Sequence, residues 1–409
     1  MLRLKQYIAE EQNVHMEHVE DLVFNEGVEG TRKAINFLRD LRDMLAGHSK
    51  SKVTATVKWD GAPAVFAGID PSDGKFFVAK KGVFNKNPKV YKTAADVDAD
   101  TSGDLAEKLK IALAEFKKLG IKSGVYQGDM MFTQGDLKTE TIEGEKYTTF
   151  HPNTIVYAVP YDSMLAKKVR TAKVGVVWHT SYSGDSFETM SASFGKEIAS
   201  KLNHVPSVWM DDANYKDYSG TATFTEAETA AVTKMLSDVG VLFNKISAKT
   251  LNAIKNDPDL LLLVKTYNNS KVRENKRIDP KTHVDGLFDW IYNRFQKDID
   301  SKKTEKGKSA QEEKRKKILA FFANHDKEEI VRLFELSNKI ADIKTPIIAK
   351  MNQAGHISTF VKTANGFKVT GVEGFVAIDH LKGGAVKIVD RMEFSSNNFN
   401  PEIIKGWQR

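Results

Sequence analysis

The chain has 409 residues, 41% of them hydrophobic and 28% charged, which is the composition of a globular protein with about two domains. It contains no cysteine, so disulfides, thiolate zinc sites and cysteine nucleophiles are excluded. The net charge of +7 lies in residues 241–350, which carry 24 basic and 16 acidic side chains and leave the remainder close to neutral.

The first half of the chain alternates between helical and strand patterns. Residues 1–48 are predicted to be helical, because apolar residues recur at the helical period until Gly47. Short apolar runs bounded by turn residues then predict a mixed region in which strands dominate. The predicted strands are 53–58, 63–69, 75–80, 124–132, 154–160 and 174–180, and a helix is predicted over 103–119.

From Thr225 the hydrophobic period becomes helical and stays so up to Asn352. Within this stretch the charged, low-complexity segment 301–317 is interpreted as a loop that enters a helix. Strand patterns return after Gly355. The last predicted strands lie within 358–369, 372–379 and 385–390.

These patterns predict an α+β fold in which a sheet domain is interrupted by helices. An antiparallel-sheet domain would comprise residues 49–219 together with 356–409, after an N-terminal helical segment of residues 1–48. A large, basic, mostly α-helical domain of residues 220–355 would be inserted before the last strands. No segment has the roughly 18 apolar residues of a membrane span, and the first residues lack a signal-peptide core, so we expect a cytoplasmic protein with no membrane partner.

A lysine, an aspartate and a glycine follow a predicted strand in TVKWDGAPAVFAG, residues 56–68. Lysine and aspartate are poor strand formers, so Lys58 either marks an ordinary strand end or does chemistry. A KxDG motif alone is weak, because it also arises by chance. Further strands carry polar or charged residues in order, and a purely structural sheet avoids such charges. These residues are Lys80 and Lys81 in VAKKGVF, Asp129 in YQGDMMF, Tyr157 in IVYAVPYD, Glu373 in GVEGFVAI and Lys387 in GGAVKIVD.

In this order the motifs resemble those of the covalent nucleotidyltransferase superfamily, which includes ATP-dependent RNA and DNA ligases and messenger-RNA capping enzymes. KWDGAPAVF and YQGDMMF are also similar to segments of an uncharacterised bacteriophage branch of this superfamily that is RNA-ligase-like. The likeness covers about residues 50–180 and 357–395. It implies an antiparallel nucleotidyltransferase (adenylation) domain that uses ATP with Mg²⁺ or Mn²⁺.

The resemblance implies a role for the residues around the first motif. Lys58 would attack the α-phosphate of ATP and form lysyl-AMP, and Lys387 would contact the same phosphate. Trp59, Asp60 and Gly61 complete the nucleotide-accepting motif. A lysine attacks phosphorus only as the neutral amine, and neighbouring cations together with partial burial favour that form.

The remaining motifs would bind the nucleotide and the metal ion. Lys80 and Lys81 match the basic residues that these enzymes place near the nucleotide, and Tyr157 matches the aromatic ring that stacks on the purine. Asp129 matches a carboxylate on the ribose side or the metal side of the site, and Glu373 matches one near the metal. Carboxylate oxygens are hard ligands that suit Mg²⁺ or Mn²⁺.

The sequence departs from this family pattern at three places. Residues 62–65 contain no arginine, the second lysine near Lys387 is absent, and the chain ends at Arg409 before the barrel that follows in DNA ligases and capping enzymes. We therefore predict an ATP-dependent polynucleotide ligase, with RNA preferred over DNA and bound through the basic helical region. AMP would pass from lysine to a 5′-phosphate end, and a 3′-hydroxyl would seal the strand.

Two alternatives remain open. One is another nucleotidyltransferase, which uses GTP or modifies a protein or a small molecule. The other is a non-catalytic nucleic-acid-binding protein that retains the fold, which the missing arginine and the missing second lysine favour. It predicts salt-sensitive binding to RNA or DNA without lysyl-AMP.

Two histidine-containing segments have more than one interpretation. His179 in VVWHT either lines the nucleotide pocket or is an ordinary histidine at a strand end. The segment HMEHVED gathers His15, His18, Glu20 and Asp21, for which polar residues on a helix surface are preferred over a metal site.

Overall fold

The structure, a computed structural model, describes residues 16–47, 53–217, 220–355, 357–379 and 385–408. These residues form eleven α-helices and fifteen strands in three sheets, so the predicted α+β class is confirmed. His15 and the rest of the predicted helical segment before residue 16 lie outside the described residues. No helix within the described ranges is long and apolar enough to span a membrane.

The strands follow the predicted alternation and add several that the sequence patterns missed. In chain order they are β1 (Val53–Lys58), β2 (Ala64–Ile69), β3 (Phe76–Ala79), β4 (Val125–Thr133), β5 (Lys138–Ile142), β6 (Glu145–Phe150), β7 (Ile155–Pro160), β8 (Val174–Ser183), β9 (Ser191–Phe194), β10 (Val208–Asp212), β11 (Ser358–Thr363), β12 (Gly366–Val369), β13 (Gly374–Asp379), β14 (Ala385–Ile388) and β15 (Ile403–Ile404).

Most helices lie in the second half of the chain, as the hydrophobic period predicts. They are α1 (Leu22–Leu45), α2 (Ala94–Asp100), α3 (Gly103–Phe116), α4 (Met164–Thr171), α5 (Glu226–Phe243), α6 (Ala248–Ala253), α7 (Pro258–Arg273), α8 (Pro280–Asp300), α9 (Glu305–Asn324), α10 (Lys327–Asn352) and α11 (Arg391–Phe399).

Local capping explains where three of these helices begin. The side chains of Asp257 and Asp279 accept hydrogen bonds from backbone N–H groups at the starts of α7 and α8, and each is followed by a proline. In the charged segment 301–317, Thr304 accepts a hydrogen bond from the N–H of Gly307 and starts α9. The segment is therefore a short loop followed by a helix, as predicted. Each cap of this kind stabilises a helix by about 1 kcal/mol.

The strands form one small sheet and two larger ones. The first sheet has the order β1-β13-β14, so it joins an early strand to two strands that follow the helical region. The second sheet has the order β10-β8-β4-β2-β3, with β9 beside β8, and the third has the order β12-β11-β7-β6-β5, with β15 beside β11. Neighbouring strands are antiparallel except for the parallel pair β10 and β8.

One hydrophobic core joins α1 and helices α5 to α10 to a face of the first sheet. Strand alternation explains this, because Ala55, Phe375 and Ile388 all point to the helical side and are buried. Each large apolar side chain buried in this way contributes roughly 1.5–3 kcal/mol. The first sheet is thus held against the helices by its apolar face.

Candidate functional site

Lys58 is the last residue of β1, opposite Gly374 of β13. Its Nζ forms an ion pair with the Glu373 carboxylate, and 29% of the lysine side chain but only 9% of the glutamate side chain is exposed. In the register, Thr56 lies opposite Val376, which in turn lies opposite Lys387 on β14. Alternation along β1 therefore places Lys58 and Lys387 on the same face of the first sheet.

Lys387 lies on that face in a partly desolvated position. Burial and the positive charge of Lys58 lower its pKa below the ordinary lysine value. The two lysines therefore repel each other across the sheet. The Lys387 amine therefore loses its proton more readily than an ordinary lysine.

Asp60 anchors the turn that follows Lys58. Its carboxylate accepts hydrogen bonds from the Asn153 side chain at 2.6 Å and from the backbone N–H groups of Thr154 at 2.6 Å and Ile155 at 2.8 Å. Burial raises the pKa of Asp60 even so. Both of its carboxylate oxygens are committed to the protein, so its evident role is to fix the turn to the start of β7.

Gly61 allows this turn to approach β4 closely. A Cβ atom at this position would lie 2.5 Å from the Cβ of Asp129, which is too close for any side chain. Asp129 lies opposite Ala64 in the pairing of β2 with β4. The glycine of KWDG therefore brings the Asp129 carboxylate toward the end of β1.

Asp129 lies in the cleft that also contains Lys58 and Glu373, and 23% of its side chain is exposed. Burial and the negative charges of Glu373 and Asp60 together raise its pKa to about 7, against the opposing positive charges of Lys58 and Lys81. Asp60, Asp129 and Glu373 each interact electrostatically with Lys58, and Glu373 contacts it directly. His179 also borders this space, with Nε2 3.9 Å from the Asp129 carboxylate.

The carboxylates suit a divalent cation that also binds substrate phosphates. Within the described residues, no group of three or more histidine, aspartate or glutamate side chains is arranged to hold a metal ion by itself. Mg²⁺ commonly takes one or two carboxylates and completes its shell with water and phosphate oxygens. Asp129 and Glu373 fit that pattern, because the negative charge of Glu373 disfavours the ionised form of Asp129 and a bound cation would offset this repulsion.

The two lysines that follow β3 differ in their surroundings. Lys80 Nζ lies 3.0 Å from the Asp100 carboxylate and 5.9 Å from the centre of the Tyr91 ring. Lys81 is exposed, and its charge lowers the pKa of Asp129. The structure thus connects Lys81 to the cleft and pairs Lys80 with helix α2.

Tyr157 is only 1% exposed. Its ring stacks on Trp59 with 5.1 Å between centroids and on Phe150 with 5.4 Å. Its hydroxyl accepts a hydrogen bond from the Asp60 N–H at 2.7 Å. A purine could stack on this ring only by displacing one of its neighbours, so in this structure Tyr157 supports the KWDG turn.

Comparison with known proteins gives one match that spans most of the chain. The family described as "Family of unknown function (DUF6267)" matches residues 13–403. The chain belongs to the DUF6267 family. No curated protein and no solved structure gives a significant match. The match includes the sheets and the helical region, so both are parts of the DUF6267 architecture.

The sequence patterns missed one contribution to the site of this DUF6267 protein. Helix α11 places the ring of Phe394 with its centre 5.7 Å from Lys58 Nζ. Glu393 and Asn397 of the same helix line a small cavity together with Asp60 and Glu373. No motif signals this helix, because its only buried residue is a serine.

The segment around His18 was interpreted as polar residues on a helix surface, and that interpretation is wrong. Glu20 and Asp21 are buried, with relative exposures of 5% and 8%. Glu20 pairs with Lys344 at 2.8 Å, and Asp21 pairs with Arg391 at 2.9 Å. In this DUF6267 protein the segment ties α10 and α11 to the sheet.

The same segment also supports the strand that carries Lys387. The backbone of His18 pairs with Lys387 in parallel, and the N–H of Lys387 donates a hydrogen bond to the carbonyl of Glu17 at 2.8 Å. The free edge of β14 is therefore covered at the position of the lysine. Buried backbone groups that are paired in this way hold their strand rigidly.

Proposed function

We propose that this chain is a covalent nucleotidyltransferase, and more narrowly an ATP-dependent polynucleotide ligase that acts on RNA. The observation that carries the proposal is the convergence of Lys58, Lys387 and Asp129 with Glu373 around one cleft. These residues come from distant parts of the chain and lie on or beside four strands. A sheet that served only as a scaffold would not gather charges in this way.

The chemistry would begin with Lys58. Its neutral amine attacks the α-phosphorus of ATP, the nitrogen–phosphorus bond forms, and the bond to the bridging oxygen breaks so that pyrophosphate leaves. Glu373 contacts the Lys58 amine and is placed to receive its proton, and Lys387 lies on the same face of the sheet, where it can contact the α-phosphate. A divalent cation beside Asp129 and Glu373 would offset phosphate charge.

Two transfers would follow. A 5′-phosphate oxygen of the polynucleotide attacks the phosphorus of lysyl-AMP, and the Lys58 nitrogen leaves and regains a proton. A 3′-hydroxyl then attacks the activated 5′-phosphate, loses its proton and displaces AMP. The basic region 241–350 would hold the strands through their phosphates.

The first step is tested with ATP labelled at the α-phosphorus in the presence of Mg²⁺. We expect one label per chain, stable to alkali and labile to acid, and no label on the Lys58→Ala variant. Lys362→Ala is the matched control, because Lys362 is also a strand lysine paired with a glutamate, Glu140, at 2.9 Å. Absence of label on the unmodified chain, or label that persists in Lys58→Ala, contradicts the proposal. Label from GTP in preference to ATP would support the alternative nucleotidyltransferase.

The polynucleotide partner is tested by binding and sealing of RNA with 5′-phosphate and 3′-hydroxyl ends. Lys302, Lys303 and Lys306 are exposed and can be changed together to alanine. The slope of the logarithm of the binding constant against the logarithm of the salt concentration should then become shallower by about 0.7 for each phosphate that these lysines neutralise. Labelling by ATP should be unchanged. The control changes Lys167 and Lys168, which are exposed on α4. RNA binding without any lysyl-AMP would favour the non-catalytic alternative.

A further inference from the structure

Helix α11 connects the lysine cleft to the end of α7. The ring of Phe394 has its centre 5.7 Å from Lys58 Nζ. The next residue, Ser395, donates a hydrogen bond from its hydroxyl to the carbonyl of Val272, in the last turn of α7, at 3.1 Å. An α-helix rises 1.5 Å per residue, so the last residue of α11, Phe399, lies only about 7.5 Å along the axis from Phe394. The cleft and this end of α11 are therefore close enough for one bound strand to contact both.

Two aromatic rings lie exposed at this end of the helix. Phe399 and Trp407 are the most exposed aromatic residues in the part of the chain that the structure describes, at 61% and 65%. Trp407 lies in the turn that follows β15, and Lys405 just before it donates a hydrogen bond from Nζ to the carbonyl of Asn397 at 2.6 Å. This bond attaches the turn to the last turn of α11, so both rings belong to the same region of the surface.

A basic segment at the end of α7 adds a positive charge beside Phe399. The segment 271–277, KVRENKR, has four basic side chains and one acidic side chain. Three of the basic side chains pair with Glu274 or Asp342. Arg273 is exposed and has no acidic partner within the described ranges, and its guanidinium lies over the ring of Phe399, 5.9 Å from the centroid. A positive charge without a counter-charge and an exposed ring therefore lie side by side.

We propose that Arg273, Phe399 and Trp407, here called the α11 platform, bind single-stranded RNA beside the lysine cleft. Unpaired bases would stack on the two rings, and Arg273 would pair with a phosphate. This inference rests on the proposed function, because it places the strand on which the proposed ligase acts. It adds a surface outside the helical region, since two of the three residues follow the last strands of the first sheet.

The surroundings of the rings favour a nucleic acid over a protein partner. Asn398 and Asn400 lie on either side of Phe399 in the chain, and Gln408 follows Trp407. The centre of a protein–protein interface is an apolar patch from which charged residues are depleted. Separate rings among amide and guanidinium groups instead resemble the alternation of bases and phosphates along a strand.

The test measures the affinity of the full chain, without ATP, for a single-stranded ten-residue oligouridylate and for a ten-base-pair RNA duplex. Phe399→Ala and Trp407→Ala should each weaken binding of the single strand at least about fivefold, because one base loses the ring on which it stacks. Binding of the duplex should be unchanged, since its bases are already paired and stacked. Phe194→Ala is the matched control, because Phe194 is an exposed phenylalanine on β9, and it should change neither affinity.

Arg273→Gln tests the phosphate contact. The slope of the logarithm of the binding constant against the logarithm of the salt concentration should become shallower by about 0.7, the value for one phosphate of a single strand. Arg32→Gln is the control, because Arg32 is an exposed arginine on α1 that pairs with Glu29 at 2.9 Å. Its slope should equal that of the unmodified chain.

The proposal is overturned if the chain does not bind the oligouridylate, or if either ring variant binds it as tightly as the unmodified chain. It is equally overturned if Phe399→Ala weakens binding of the duplex, or of a ten-residue polyglutamate, as strongly as binding of the single strand. Lysyl-AMP formation without the expected losses of affinity would leave the proposed reaction standing and remove the platform. The expected losses without lysyl-AMP would remove the reaction and leave the platform as an RNA-binding surface.

Discussion

Replacing Asp129 with asparagine is expected to raise the free energy of unfolding at pH 8 by up to about 4 kcal/mol, while reducing labelling by ATP at least about tenfold. Burial and neighbouring carboxylates raise the pKa of Asp129 from its ordinary 3.8 to about 7. Above pH 7 the folded chain must hold this charge where it is disfavoured. Asparagine keeps the shape and removes the charge, but it also removes a ligand that the proposed reaction needs.

The pH dependence follows from the raised pKa. Stability that Asp129 contributes as a neutral acid is fully present below pH 3.8 and is lost as the pH rises to about 7. The stability gained by Asp129→Asn should therefore be small at pH 5 and larger at pH 8. Urea unfolding in the presence of EDTA measures it without a bound cation. An equal difference at both pH values would contradict the electrostatic account of the cleft.

Asp70→Asn provides a control of opposite sign. Burial alone would raise the pKa of Asp70, but hydrogen bonds from Lys92 and Ser72 hold it below the ordinary value. Lys92 Nζ lies 2.7 Å from the carboxylate. Loss of this charge should therefore destabilise the fold and leave labelling by ATP intact. If Asp129→Asn stabilises the fold and Asp70→Asn destabilises it, the charge of Asp129 lowers the stability of the folded chain, as expected for a functional site.

Elements with a strong hydrophobic pattern could be predicted from the sequence. Strand β1 has apolar residues on one side, and the long helices from α5 to α10 keep an apolar stripe. The hairpin of β5 and β6 was missed, because β5 is the polar run KTETI. Its tight turn at Glu143 and Gly144, both with positive φ, was the signal available. Helix α11 was missed because it buries almost nothing apolar.

The sequence predicted which residues belong to the candidate site better than it predicted how they are arranged. Motif order brought Lys58, Asp129 and Glu373 into one hypothesis, and the structure places their charges around one cleft. The burial of Tyr157 was not predictable, because an aromatic residue in an apolar strand has the same pattern whether a ring or a ligand covers it. Phe394 approaches Lys58 through tertiary packing alone, which no local pattern encodes.

Replacing Lys344 with methionine is expected to lower the free energy of unfolding by about 3–5 kcal/mol. Lys344 Nζ donates hydrogen bonds to the Glu20 carboxylate at 2.8 Å and to the carbonyl of Val389 at 2.8 Å. The two charged side chains are only 4% and 6% exposed. Methionine fills a similar volume, but it leaves the Glu20 carboxylate in the interior without its closest positive partner.

The effect should reach the proposed reaction as well as the fold. Lys344 joins α10 to Glu20, close to the segment that pairs with Lys387, and to Val389, which directly follows β14. Labelling by ATP is therefore expected to fall even at temperatures where the variant remains folded. Lys339→Met on the same helix is the matched control, because its pairing with Glu335 is exposed and 3.9 Å long, and it should cost less than about 0.5 kcal/mol.

A double variant separates the effect of the ion pair from the effect of packing. Burial alone would raise the pKa of Glu20, but the positive charge of Lys344, with those of His18 and Arg391, holds it at about 2, so removing Lys344 leaves the carboxylate charge without its main stabilising partner. Glu20→Gln combined with Lys344→Met removes that charge and should regain part of the stability that the single variant loses. Equal unfolding free energies for Lys344→Met and Lys339→Met would mean that the buried pair contributes nothing. In that case the ion pair of Lys344 with Glu20 would not stabilise the link between β14 and the helical core. The position of Lys387 would then depend on the strand pairing of β14 alone.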